Sequence, residues 1–215
     1  MKKDEVISRL TACGVVAVIR APSAEILPDV AKALLEGGVV GIEVTLSTPN
    51  AFKAIERVSA EFGDRGVVGV GTVLDSQAAK DAISAGAQFV VSPVFLPAVV
   101  EATKSLGKAA VPGTYTPTEM ITAWNLGADV VKLYPASAHG PGFVKEMLVV
   151  MPFLKINPSG GIDAKNTADW IKAGGQFVGA GSSLVSKDAM AKNDWATITA
   201  TAKQFVEAVK AARTK

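Results

Sequence analysis

Lys132 stands in Asp129-Val130-Val131-Lys132-Leu133-Tyr134-Pro135 with apolar neighbours on both sides. An ammonium in such a run must find a partner or give up its proton. Glu43 repeats the anomaly in Gly41-Ile42-Glu43-Val44-Thr45-Leu46, where burial favours the neutral acid and a nearby cation favours the carboxylate. Two such groups form either a structural ion pair or a nucleophile with its acid–base partner. The second alternative is the chemistry of imine formation. A lysine amine freed of its proton adds to a ketone, and the resulting iminium accepts electrons when a neighbouring carbon–carbon bond breaks. A carboxylate moves the protons through carbinolamine, imine and enamine. That chemistry requires no metal and no cofactor.

Other residue types complete a site for an anionic substrate. Pro158-Ser159-Gly160-Gly161-Ile162 and Gly179-Ala180-Gly181-Ser182-Ser183 expose backbone amides at two glycine turns, and the first is expected to lead into a helix starting near Ala164. Amides and a helix N-terminus together suit a phosphate; plain turns are the alternative. Arg20 can grip a carboxylate or phosphate with two parallel bonds. Thr72, after Gly71, offers a hydroxyl and an amide to a small carboxylate, or caps its own turn. Pro93 and Pro112-Gly113 shape a mouth. His139 reads as a loop residue and Cys13 as packing.

These residues need elements to position them. Eight apolar runs recur along the chain: 15–20, 40–46, 67–73, 88–93, 108–113, 129–135, 154–159 and 176–181. Rich in Val, Ile and Phe and mostly without polar alternation, they read as strands covered on both faces. The segments between them carry helix punctuation. Thr48-Pro49 reads as an N-cap followed by proline in the first helical position, and Thr116-Pro117-Thr118-Glu119 as a capping box. Pro28 belongs to the first turn of its helix. Gly37-Gly38, Gly86, Gly107, Gly127 and Gly174-Gly175 mark helix ends. Trp195, Ile198, Ala202, Phe205 and Val209 form one helical face, and residues 3–12 an extra N-terminal helix with Val6, Ile7 and Leu10 inward. Strand–helix units in this number predict an α/β fold, a (β/α)8 TIM barrel with an additional N-terminal helix, in one domain over 1–215. A doubly wound open sheet is the alternative, but Arg20-Ala21-Pro22-Ser23 stands where its glycine fingerprint belongs. In a barrel, the site lies where the strands end, with phosphate held after strands 7 and 8.

Composition narrows the partners. The 215 residues are 49% hydrophobic and 20% charged, with 22 basic and 20 acidic residues and a formal charge of +2. No basic stripe points to nucleic acid, and no run approaches the roughly 20 apolar residues of a membrane span. One cysteine and one histidine leave no disulfide framework and no clustered-histidine metal site. Met1-Lys2-Lys3-Asp4-Glu5 lacks the apolar run of a signal peptide. The expectation is a cytoplasmic protein without metal. Three readings of the residues stay open: a Schiff-base aldolase; a phosphosugar isomerase or epimerase with Glu43 as base and Lys132 as electrostatic partner; and a non-catalytic phosphometabolite-binding barrel.

The order and spacing of Val18-Ile19-Arg20, Ile42-Glu43-Val44-Thr45-Leu46, Gly69-Val70-Gly71-Thr72-Val73, Val91-Ser92-Pro93, Lys132-Leu133-Tyr134-Pro135, Pro158-Ser159-Gly160-Gly161-Ile162 and Gly181-Ser182 resemble the 2-keto-3-deoxy-6-phosphogluconate aldolases and their 6-phosphogalactonate relatives. These are class I aldolases on a trimeric (β/α)8 barrel. The resemblance runs from Val15 to about Val185. It implies Lys132 as the Schiff-base lysine, Glu43 as general acid/base through a water, and Thr72 on the pyruvate carboxylate. Pro93 and the ring of Tyr134 would flank the pyruvyl group, and Gly160, Gly161, Gly181 and Ser182 would cradle the phosphate. The implied reaction is reversible cleavage of the phosphorylated sugar acid to pyruvate and glyceraldehyde 3-phosphate by a homotrimer. Two departures stand out. Where many phosphogluconate-type members carry a carboxylate-binding arginine, this chain has Ser47, so Arg20 is the candidate to replace it. Ser159 stands where the gluconate enzymes have Thr and the galactonate enzymes a residue without a hydroxyl, which favours the gluconate epimer. Leu46-Ser47-Thr48-Pro49 and the 135–141 segment look instead like the galactonate branch.

Overall fold

Short runs of β-branched residues favour strands over helices, and each of the eight runs contains strand here. The computed structural model describes residues 1–214. Its strands are β1 (Val15–Ile19), β2 (Gly41–Thr45), β3 (Val67–Gly71), β4 (Phe89–Val91), β5 (Ala109–Val111), β6 (Gly113–Thr114), β7 (Val131–Leu133), β8 (Ile156–Pro158) and β9 (Val178–Ala180). The fifth run is therefore two strands rather than one, because Pro112 has no N–H to carry the ladder through. All pairings are parallel. A curled six-stranded sheet has the order β5-β4-β3-β2-β1-β9, and a three-stranded sheet the order β6-β7-β8. A single bridge, Ser159 to Gly179, links β8 to β9.

Parallel neighbours require crossover connections, which α2 (Leu27–Glu36), α3 (Ala51–Phe62), α4 (Ser76–Ser84), α5 (Pro97–Ser105), α6 (Pro117–Asn125), α7 (Pro141–Val150) and α8 (Thr167–Lys172) supply; α1 (Lys3–Cys13) precedes β1, and α9 (Lys187–Ala191) and α10 (Trp195–Arg213) follow β9. None is long and apolar enough to cross a membrane.

Successive residues of a strand face opposite sides, so two cores form. Ile42 and Val44 of β2 join Leu34, Ile55 and Phe205 in the layer between sheet and helices. On the inner side Val16, Val67, Phe89, Val130 and Phe177 form a second cluster, which Val6, Ile7 and Leu10 of α1 close off. Burial on both faces explains why the runs do not alternate. Helix α1 thereby covers the ends where strands begin and leaves open the ends where they finish.

Two helix starts differ from expectation. Thr48-Pro49 does not begin a helix; α3 follows Asn50. Thr48 is buried and its Oγ1 accepts from the Ala21 amide at 3.1 Å, so it ties the end of β2 to the end of β1 instead of capping. Helix α8 starts at Thr167, not near Ala164, and has six residues. Asp163 Oδ1 accepts from the Lys165 and Asn166 amides at 2.8 and 2.9 Å, which holds that stretch as a turn. The capping box at Thr116 does form, with Glu119 closing it. Thr116→Ala is expected to cost about 1 kcal/mol, measured by urea unfolding, with activity unchanged.

Candidate active site

Strand parity decides which side chains meet. Glu43 is level with Val18 of β1 and Gly69 of β3, and Lys132 with Gly113 of β6 and Asn157 of β8. Both side chains are buried, Glu43 at 3% exposure and Lys132 at 6%. The backbone of Lys132 is fixed from β6: its amide donates to Pro112 O at 2.9 Å and its carbonyl accepts from Thr114 Oγ1 at 3.0 Å. Its Nζ lies 5.1 Å from the centre of the Tyr134 ring, within the range of a cation–π contact.

The ion pairs among the described residues, Lys3–Asp129, Lys192–Asp188 and Lys210–Glu207, do not include Lys132 with Glu43. The direct structural pair that the sequence left open is not formed. The two groups still feel each other. Burial pushes the Glu43 carboxyl above the usual carboxylate range, and the charges of Lys132 and Arg20 oppose that rise. Glu43 is therefore an acid that keeps its proton to higher pH than an ordinary glutamate.

A cavity of about 340 Å³ opens where the strands end. Lys132, Tyr134, Ser159 and Arg20 line one part of it, and Gly160, Gly161, Gly181 and Ser182 another. Glu43, Thr72 and Pro93 lie outside this lining. Thr72 follows β3 with a φ of 61°, a left-handed backbone that a β-branched residue adopts only when its surroundings impose it. Pro93 follows β4, and its carbonyl packs against Gly113.

The glycine corner is built from two successive left-handed residues. Gly160 and Gly161 have φ of 91° and 76°, and a Cβ on Gly161 would come within 2.6 Å of Ser137 Cβ. Consecutive residues of this kind turn their amides into one concavity. With α8 so short and starting later, the helix N-terminus expected there is replaced by these turn amides. Ser183 Oγ donates to Ile162 O at 2.5 Å and fastens the two glycine turns together. Ser159 Oγ reaches Gly179 O at 3.3 Å, a long bond.

Ser47 lines a second cavity of about 460 Å³ on the other side of Arg20. Thr45 Oγ1 donates to Ile19 O at 2.8 Å, so in its 2.8 Å contact with Ser47 Oγ it accepts Ser47's only proton. Ser47 is left with acceptor lone pairs and has no donor for an anion. His139 is stacked on Phe143 and tilted against Tyr115, at 4.2 and 4.4 Å between ring centres. It does not line the 340 Å³ cavity.

Sequence reasoning missed Asp163 and Asn157, and it named Ser183 only as part of the second glycine turn, without its bond to Ile162. Asn157 Nδ2 donates to Phe177 O at 2.9 Å, supplying a donor towards β9 beside Pro158, which has none. Its signal was the one used for Lys132, a polar residue inside an apolar run. Among the described residues no group of His, Cys, Asp and Glu is arranged to hold a metal ion.

Comparison with known proteins adds a second line of observation. The family model described as KDPG and KHG aldolase matches residues 6–201. A 2-dehydro-3-deoxy-phosphogluconate aldolase of Dickeya dadantii (strain 3937) is 36% identical over 199 residues, 92% of each chain. A 2-dehydro-3-deoxy-6-phosphogalactonate aldolase of Escherichia coli (strain K12) is 32% identical over 164 residues, 74% of this chain and 80% of that one. A crystal structure of a KDPG aldolase from Legionella pneumophila, with pyruvate captured at low pH as a covalent carbinolamine intermediate, superposes with a TM-score of 0.86. It is 31% identical and spans 92% of this chain and 96% of the other.

Proposed function

The chain belongs to the KDPG and KHG aldolase family, and from that premise we propose that it cleaves 2-keto-3-deoxy-6-phosphogluconate to pyruvate and glyceraldehyde 3-phosphate through a Schiff base on Lys132. It is a carbon–carbon lyase. The observation that carries the residue assignment is a buried amine and a buried carboxyl sharing the inner side of the strands without forming an ion pair, so neither is tied to the other.

In this reading the neutral Lys132 amine adds to the C2 ketone, giving a carbinolamine that loses water to an iminium. As the C4 hydroxyl is deprotonated, its oxygen electrons form the C4=O bond of the aldehyde and the C3–C4 bond breaks. The aldehyde leaves and the electron pair is taken up by the iminium as an enamine. Protonation at C3 and hydrolysis return pyruvate and the amine. Glu43, acting through a water, gives and takes these protons, and its raised carboxyl suits both directions. The Tyr134 face stabilises the cationic iminium, and with Pro93 it flanks the pyruvyl group. Arg20 and Thr72 hold the substrate carboxylate, since Ser47 has no proton to offer. Gly160, Gly161, Gly181 and Ser182 receive the phosphate. The Ser159 hydroxyl, whose bond to Gly179 is long, is available to a substrate hydroxyl and favours the gluconate epimer. The same family contains a 6-phosphogalactonate aldolase, and that epimer is the second reading, favoured by the Ser47-Thr48-Pro49 segment.

The wider reading is a single domain over 1–215, its two sheets closed as one (β/α)8 barrel capped by α1. The Ser159–Gly179 bridge and the unbroken chain from β5 through Pro112 to β6 support closure. A cytoplasmic homotrimer belongs to this reading. Exposed Val149, Val150 and Phe153, with Trp124 5.9 Å from the Phe153 ring, form an apolar surface such an assembly would cover.

Borohydride reduction in the presence of pyruvate, followed by peptide mass mapping, tests the assignment. One pyruvyl adduct on Lys132 is the expected result, and an adduct on another lysine, or none, overturns it. Supplying each epimeric acid with a coupled pyruvate assay separates the two substrate readings.

A further inference from the structure

Gly69 and Gly71 of β3 face the same inner side as Glu43, and a neighbouring side chain fills the space beside each. A Cβ on Gly69 would overlap the Phe89 ring. A Cβ on Gly71 would overlap Glu43 Oε1 and come within 2.7 Å of its Cδ and 2.8 Å of its Cγ. The paired glycines thus make two slots on one strand, the first receiving a ring from β4 and the second a carboxyl from β2. Neither glycine has a left-handed backbone, so the absence of a side chain, and not a special φ, is what the position requires.

The Glu43 carboxyl forms no hydrogen bond and no ion pair among the described residues. A carboxyl held by neither is kept in place by shape and by the longer-range pull of Lys132 and Arg20, and at Gly71 the fit is close. We propose that Gly71 is a positioning residue for the acid–base step: its bare backbone is the slot that keeps the Glu43 carboxyl on the inner face it shares with Lys132. The proposal deepens the aldolase reading and rests on it. The charged groups facing the carboxyl are Lys132 from β7 and Arg20 from the end of β1; β3 presents Gly71.

In Gly71→Ala the methyl group takes the slot and the carboxyl moves towards the cavity. Displacement of a catalytic group by about 1 Å lowers turnover about 10²-fold, while KM for the phosphorylated acid should stay within about 2-fold because no binding group moves. A less buried Glu43 also loses its proton more readily, so the limb of the pH–rate profile that Glu43→Gln abolishes shifts to lower pH. Gly69→Ala is the control. It displaces the Phe89 ring and lowers the thermal midpoint, and it leaves that limb in place.

A double-mutant cycle isolates the contact. Aspartate is one methylene shorter and lacks the Oε1 that overlaps the new methyl group, so Gly71→Ala made on Glu43→Asp should cost clearly less in turnover than the about 10²-fold expected in the parent. The readout is deuterium exchange of the pyruvate methyl group, followed by NMR, with borohydride trapping in parallel. If the parent enzyme gives no adduct on Lys132, the aldolase reading fails. If it gives the adduct and Glu43→Gln slows exchange, the Gly71 proposal stands or falls separately. It fails if Gly71→Ala exchanges at the parent rate, if Gly69→Ala moves the limb equally, or if the two costs are the same in both backgrounds.

Discussion

Lys132→Met is expected to lower aldol cleavage by at least about 10³-fold, the scale on which removal of a covalent nucleophile is felt, while the protein stays folded. Methionine nearly preserves the buried volume and removes a cation from a position only 6% exposed, so circular dichroism should be unchanged. Pyruvate release measured with a coupled dehydrogenase gives the rate, and mass spectrometry after borohydride gives the missing adduct. The loss should appear in kcat and in kcat/KM alike, because the covalent bond exists only along the reaction path. A variant that kept substantial turnover would overturn the Schiff base and favour proton transfer by Glu43 alone, the chemistry of an isomerase or epimerase. Removing the cation has a second consequence. One of the two charges that oppose the burial of Glu43 disappears, so its carboxyl should rise further, visible as a carboxyl band persisting to higher pH in infrared difference spectra.

Glu43→Gln is expected to lower turnover about 10²- to 10⁴-fold, the range of a lost general acid–base group, and at the same time to raise thermal stability at neutral and alkaline pH. The sign follows from burial. The folded-state carboxyl holds its proton above the pH at which the unfolded chain releases it, so in that window the folded state binds more protons and stability falls as pH rises. Glutamine carries no charge to bury. The gain in thermal midpoint over the parent should therefore be largest at pH 8 and fade as pH drops below the ordinary carboxylate range. A gain that grew with acidity would mean that Glu43 is stabilised as the carboxylate in the fold, and the account of its environment would be wrong. Activity lost and stability gained by one substitution is the usual mark of a site held at a cost to the fold.

What the sequence disclosed depended on how locally each feature is encoded. Lys132 and Glu43 were legible because a charge inside an apolar run is anomalous whatever surrounds it. The Thr116 capping box was legible because all its partners lie within four residues. Thr48 was misread for the opposite reason: its partner, the Ala21 amide, is 27 residues away, and nothing near Thr48 reveals that its oxygen is already engaged. The turn before α8 was misread because Asp163 competes with the helix for the same backbone amides. Pro112 was visible as a proline, yet that it divides a strand depends on the ladder it interrupts. Ser47 was noted as a departure, but that its proton is spoken for depends on the bond from Thr45 to Ile19. The slot at Gly71 was the least legible of all, since a glycine reserved for a side chain of another strand looks like any other glycine.

Helix α1 seats Val6, Ile7 and Leu10 against the inner cluster, and this stopper has a kinetic meaning. Whatever reaches the cavity must enter and leave by the same doorway, so in the aldolase reading a bound product bars the next substrate until it has left.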